Sequence, residues 1–195
     1  MKPLKKVKIK WSSNFAYAIG LLATDGNLSP DGRHIAFTSK DLELANNFQL
    51  ALGLNQHIGR KSSGSCREKK YYVIQFSEKH FYDFLLTIGL MPKKTFILGE
   101  IKMPIKYFFD FLRGELDGDG SFYSYFDPRW ESSYMFYFSL CCASIKHIHW
   151  LRKMVFKLLG VRGHVTKSVN DSTYQLKYAK GESLKLIEKM YYNVL

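Results

Sequence analysis

Residues 111–120 read Phe-Leu-Arg-Gly-Glu-Leu-Asp-Gly-Asp-Gly, and residues 17–26 read Tyr-Ala-Ile-Gly-Leu-Leu-Ala-Thr-Asp-Gly. Superposed, the two stretches share a glycine at the fourth position and Asp-Gly at the last two, at an offset of 119 − 25 = 94 residues. Two further matches follow in the same order: Ala51-Leu52-Gly53-Leu54 with Leu158-Leu159-Gly160-Val161, and Tyr72–Phe76 with Tyr174–Tyr178. Ordered self-similarity of this kind marks a duplicated unit. The drift in offset places a longer hairpin loop early in the second copy and a shorter one late, where surface loops tolerate insertion. Pro92-Lys93-Lys94 and Pro104 punctuate the connector, so the copies divide as 1–97, with a basic N-terminal arm, and 98–195.

Each copy reads as helix, two strands, helix, two strands, helix. Phe15, Ala18, Ile19 and Leu22 fall at helical spacing behind Ser13 or Asn14 as the cap, and Pro104 suits the first turn of the equivalent helix. Both helices run into Asp-Gly, where Gly26 and Gly120 are expected to take the left-handed conformation that ends a helix. Strands are expected over 33–39, 121–126 and 134–142, and helices over 42–52, 145–159, 79–88 and 182–192. The fold class is therefore α+β: two pseudo-symmetric αββαββα halves, each with a four-stranded antiparallel sheet, packed through the two motif helices.

The chain holds 29 Lys and Arg against 17 Asp and Glu, a net charge of +12. An excess of one sign on a foldable chain favours a polyanionic partner, because clustered cations release the counterions condensed on nucleic acid. No stretch approaches the roughly 18 to 20 apolar residues of a membrane span, and the basic opening segment lacks the apolar core of a secretion signal. Cys66, Cys141 and Cys142 form an odd set with an adjacent pair, which suits neither a disulfide framework nor a C-x-x-C zinc site and points to an intracellular, reducing setting. The six histidines show no metal-ligand spacing, and His147 and His149 read as surface or packing residues.

Asp25 and Asp119 carry the chemistry. A carboxylate at the C-terminal end of a helix sits in the negative half of the helix dipole, and two such placements call for a compensating cation. A divalent ion taking both carboxylates and the nearby carbonyl oxygens of Thr24 and Gly118 supplies one. Gly20 and Gly114, each five residues before its aspartate, let the two helix backbones approach closely, with Ala16 extending the thin stripe. Metal held at the end of that seam could activate water and stabilise the leaving oxygen of a phosphodiester. The alternative of an EF-hand loop starting at Asp117 fails, since Phe122 and Pro128 stand where the glycine and the glutamate are required.

The two motifs resemble the signature of the LAGLIDADG homing endonucleases, loosely over Ala18–Gly26 and closely over Leu112–Gly120. Pro92-Lys93-Lys94-Thr95-Phe96 and the strand ending at Phe138-Ser139 are also similar to that family. The resemblance implies a monomeric two-repeat enzyme that cuts both strands of a long double-stranded DNA site across the minor groove, leaving 3′ extensions. It implies Mg²⁺ or Mn²⁺, with Ca²⁺ as a non-cleaving substitute, and Asp25 and Asp119 as direct ligands. It places an accessory catalytic lysine at Lys40, whereas Cys141-Cys142-Ala143 offers none in the second copy; Lys146 is the nearest substitute.

Strand alternation sorts the remaining residues into faces. Ile35, Phe37, Ile58, Ile74 and Phe76 point inward in the first copy, and Phe136, Phe138, Val165, Leu176 and Tyr178 in the second. That leaves His34, Thr38, His57, Lys61, Tyr71 and Gln75, and then Tyr137, Ser139, Arg162, His164, Thr166, Gln175 and Lys177, for base edges in the major groove. The charges in Arg60-Lys61, in Arg67 to Lys70 with Lys69, and in Lys177 to Lys180 are expected to hold phosphates more than to read bases. Two other functions share this scaffold and charge: an RNA-splicing maturase, and a DNA-binding regulator without chemistry.

Overall fold

The computed structural model describes residues 6–62, 68, 70–168 and 172–192. The first repeat runs α1 (Ser13–Thr24), β1 (Gly26–Leu28), β2 (His34–Ser39), α2 (Leu42–Leu52), β3 (Ile58–Lys61), β4 (Tyr71–Ser77) and α3 (Lys79–Ile88). After short 3-10 turns at Lys94–Phe96 and Ile105–Tyr107, the second repeats the order with α4 (Phe108–Asp119), β5 (Ser121–Asp127), β6 (Trp130–Cys142), α5 (Ile145–Leu159), β7 (His164–Lys167), β8 (Tyr174–Tyr178) and α6 (Lys180–Met190). No helix among the described residues is long and apolar enough to cross a membrane.

Both sheets are antiparallel and share one topology, β1-β2-β4-β3 and β5-β6-β8-β7. In the first, Ile35 pairs with Phe76 and Phe37 with Ile74, so the apolar residues of both strands share one face. All four are buried, and the Phe37 ring stacks on Phe48 of α2 at 4.5 Å. In the second, Phe138 pairs with Tyr178 and Leu140 with Leu176, again buried. Helices cover these inner faces, and the outer faces stay open.

Packing divides the chain into two compact units, Met1–Lys94 with Ile101–Gly118, and Thr95–Glu100 with Asp119–Leu195. Division by repetition and division by packing differ because α4 opens the second repeat yet packs on α1 of the first. Within the second unit the connector is tied to the start of α5: Ser144 Oγ donates to the Leu98 carbonyl at 2.6 Å, and buried His147 bonds the Gly99 carbonyl at 2.7 Å through Nδ1.

Local chemistry differs from the sequence expectation at three points. Ser12, not Ser13 or Asn14, caps α1, its hydroxyl accepting the Phe15 N–H at 3.1 Å. Pro104 precedes a 3-10 turn and α4 starts only at Phe108. Gly26 and Gly120 are absent from the left-handed residues; Gly53, Gly89 and Gly160 take that conformation at the ends of α2, α3 and α5. Gly26 is needed for closeness instead: it enters β1 directly, and a Cβ there would lie 2.6 Å from Leu22 Cα.

Candidate functional site

The seam between α1 and α4 is made of backbone. A Cβ on Gly20 would overlap the Phe111 carbonyl oxygen and lie 2.9 Å from Gly114 Cα, while one on Gly114 would overlap the Tyr17 carbonyl oxygen and lie 2.9 Å from Leu21 N. Only glycine fits either position. One turn on, a Cβ on Gly118 would lie 2.7 Å from Thr24 Cβ and 3.1 Å from Asp25 Oδ2. The seam thus delivers Gly118 onto the C-terminal end of α1, where Asp25 is the cap residue.

That helix end is occupied by a cation. Thr24 Oγ1 turns back to donate to the Leu21 carbonyl at 3.0 Å, and the Thr24 carbonyl accepts from Lys94 Nζ at 2.9 Å. Lys94 is only 9% exposed. It follows Lys93, the one described non-glycine residue with a left-handed backbone, at φ 56°. The negative end of the α1 dipole compensates the buried ammonium. The sequence places Lys94 in the connector and in the Pro92–Phe96 stretch similar to the LAGLIDADG family, without a role for its side chain. A lysine pair between proline and a 3-10 turn gives no local sign that one member is buried.

The hairpin after Asp25 folds back so that the Asp25 carbonyl accepts the Thr38 N–H at 3.4 Å. Ser39 pairs with Tyr72, which sets Lys40 beside Tyr71, its ammonium 5.5 Å from the ring centroid. Asp25, Thr38, Lys40, Tyr71, Asp117 and Gly118 consequently line one open cleft of about 710 Å³. Asp117 is held there by the Tyr17 hydroxyl, which donates to Oδ2 at 2.8 Å; the Arg113 guanidinium covers the Tyr17 ring at 4.9 Å. Asp119 ends α4 as Asp25 ends α1, and is exposed.

The donors at the end of α1 are carboxylate and carbonyl oxygens, the chemistry of a hard divalent cation. A carbonyl oxygen has two lone pairs, so the Lys94 bond leaves Thr24 O able to serve a second partner. Among the described residues no group of three or more His, Cys, Asp and Glu side chains gathers as a metal site, here or elsewhere, so an ion at this helix end would rest on carboxylates together with backbone carbonyls.

Strand register sorts the expected DNA-facing residues. His34, Thr38, Lys61, Tyr71 and Gln75 share the open face of the first sheet, with exposed His57 just before β3. Arg60 pairs with Tyr72 and lies on the other face, its guanidinium 4.6 Å from the Tyr72 ring centroid. In the second sheet Ser139 pairs with Lys177 and Lys177 with His164, while Gln175 pairs with Thr166, which puts these five on one face with Tyr137. Ser139 is buried in that face, at 2% exposure. Arg162 belongs to the helix side, its guanidinium 5.0 Å from the Phe156 ring centroid. Arg67 and Lys69 lie outside the described residues. Tyr123 and Tyr125, stacked on Tyr137 at 5.2 and 6.2 Å, join the open face. Their alternation within Ser121–Phe126 was the available signal. Ala143 is the first residue after β6, as Lys40 is after β2.

The model of the LAGLIDADG-like domain matches residues 12–89, which hold α1 through α3 and the first sheet. Residues 12–89 thus carry a LAGLIDADG-like domain, and the chain as a whole has the LAGLIDADG fold. Its two-repeat, single-chain form is shared by solved structures across nearly all of its length. It is similar to I-DmoI in complex with DNA and Mn, at 17% identity and TM-score 0.60, covering 94% of this chain and 98% of that one. For I-SmaMI bound to uncleaveable DNA the values are 14%, 0.60, 92% and 85%. For the N-terminal LAGLIDADG domain of DUF199/WhiA they are 16%, 0.58, 93% and 83%. No curated protein sequence matches the chain. α1 lies within the matched domain, and the glycine seam is its contact with α4.

Proposed function

We propose that the chain is a site-specific double-strand DNA endonuclease that hydrolyses phosphodiester bonds with a divalent metal, Mg²⁺ or Mn²⁺, while Ca²⁺ supports binding without cleavage. The observation that carries this reading is the convergence of Asp25 and Lys40 on one cleft beside an open sheet face, at the helix end whose Thr24 carbonyl binds Lys94. Asp25 and Asp119 serve as the metal-binding carboxylates, one per repeat, assisted by the carbonyls of Thr24 and Gly118. The ion supplies Lewis acidity toward the scissile phosphate. Lys40 and Lys94 offset the charge that develops on the phosphoryl oxygens, and the Tyr71 ring props Lys40. His34, Thr38, His57, Lys61, Tyr71 and Gln75 read base edges on one sheet, and Tyr137, His164, Thr166, Gln175 and Lys177 on the other, while Ser139 is too buried to take part; the protein acts as a monomer across the minor groove. The DNA-bound states named for I-DmoI and I-SmaMI support the choice of partner.

One observation favours a second reading, a DNA- or RNA-binding protein that does not cut: Ala143 stands where Lys40 stands in the first repeat. Lys94 weakens it by supplying another cation at the site. Duplexes selected by the protein from a randomised library, then incubated with protein and Mg²⁺, decide between them. The endonuclease cuts both strands leaving 3′ extensions and stops when the metal is chelated; tight binding with intact strands in both Mg²⁺ and Mn²⁺ excludes it.

A further inference from the structure

The two repeats share topology but not charge on their middle helices. Helix α2, Leu-Glu-Leu-Ala-Asn-Asn-Phe-Gln-Leu-Ala-Leu, has one acid and no base, whereas α5 carries Lys146, Arg152, Lys153 and Lys157 with no acid at all. Since the same fold is built both ways, folding does not require the cations of α5. They are ordered in space. Lys146, His149, Lys153, Phe156 and Lys157 are exposed at spacings of three, four, three and one, a single stripe along the helix. Buried Ile148, Leu151 and Val155 hold the opposite side on the inner face of the second sheet, so the stripe faces away from the open sheet surface.

At the C-terminal end of the stripe is a cavity of about 270 Å³ lined by His149, Arg152, Lys153, Phe156 and Arg162. Its walls are braced. Arg152 Nε donates to the Arg162 carbonyl at 2.8 Å, and the Arg162 N–H donates to Glu182 Oε1 at 3.0 Å. Arg162 lays its guanidinium against the Phe156 ring, yet Phe156 remains 44% exposed. Cations along a track with an uncovered ring at its end suit phosphates followed by an unstacked base. A duplex, whose base faces are already stacked, has no use for the ring.

We propose that the outer face of α5, with the Phe156–Arg162 cavity, is a second nucleic-acid site, for a single-stranded segment of RNA or DNA. Lys146, Lys153 and Lys157 hold successive phosphates and Phe156 stacks one base. The site is independent of the duplex reading above and would stand if that reading failed.

Fluorescence anisotropy of the full chain with labelled oligonucleotides of about 16 nucleotides tests this, using single-stranded RNA, single-stranded DNA and a duplex as separate arms. The double variant Lys153→Glu with Lys157→Glu is expected to weaken single-strand binding roughly tenfold or more and duplex binding less than about twofold. Phe156→Leu, which keeps apolar bulk but removes the ring, is expected to weaken single strands about fivefold or more. Saturating unlabelled duplex should leave the single strand bound. A response in only one single-strand arm supports the site and identifies its source. The proposal is overturned by displacement of the strand by duplex, by equal losses in all arms, by unchanged single-strand binding, or by poly-glutamate binding tighter than either strand. Thermal melting checks each variant, and Lys153→Gln with Lys157→Gln replaces the charge reversal if it unfolds.

Discussion

Lys94 Nζ donates to the carbonyl of Thr24 at 2.9 Å, bringing a buried cation to the end of the helix that carries Asp25. Lys94→Met removes the ammonium and leaves that carbonyl without its donor. The expected cost is about 1–3 kcal/mol of stability and roughly a hundredfold in single-turnover cleavage. A variant that melts lower but cleaves at the full rate would make Lys94 structural only.

Gly20 and Gly114 face each other with no room for a methyl group on either, and the obstructing atoms are backbone. Gly20→Ala therefore separates α1 from α4. Overpacking of this kind costs about 3 kcal/mol, which for a chain of this length lowers Tm by roughly 6–12 °C. Gly53→Ala, strained by its φ of 65° but with open space around it, is the comparison; it should lose less.

Much of this is legible in the amino-acid sequence. The bounds of α2, α3 and α5 follow from apolar period, and the inner and outer faces of both sheets follow from alternation, because each element buries one side. What escaped was set by contacts distant in sequence. Lys94 reads as one residue of the connector until Thr24 is beside it. Arg162 continues the alternation of β7 on paper, yet the chain before His164 turns toward α5 and takes it to the helix side. The β5–β6 hairpin runs longer than read, since Phe126, Trp130 and Tyr134 are exposed aromatics and leave no alternation to mark an end. At the α1 cap, three adjacent polar residues were equivalent by type, and only the Ser12 backbone, at φ −153° and ψ 169°, distinguishes them.

Asp31, at the tip of the first hairpin, is held well below its ordinary pKa of 3.8, chiefly by the hydrogen bond from the His34 side chain. A lowered folded-state pKa contributes stability above the unfolded value and loses it as pH falls through the folded one. Asp31→Asn should lower Tm at neutral pH, with the difference shrinking only as the pH drops below the ordinary carboxylate range. A difference that stays constant from neutral to acid would show that the carboxylate charge is not responsible.

A chain of net charge +12 that holds DNA through many phosphates releases as many counterions. Plotted as log K against log salt, duplex binding should fall with a slope of about −5 or steeper, as expected for six or more phosphate contacts. A slope near zero would contradict binding through phosphate contacts.

The most direct measurement is single-turnover cleavage of a selected duplex in Mg²⁺ by the native chain, Asp25→Asn and Asp119→Asn, with binding followed on the same DNA. Each substitution is expected to leave affinity within about threefold while lowering the cleavage rate by at least ~10³-fold, as for loss of a group acting only in the transition state. Strand scission that persists at the native rate in either variant would contradict the assignment of these two carboxylates to the metal.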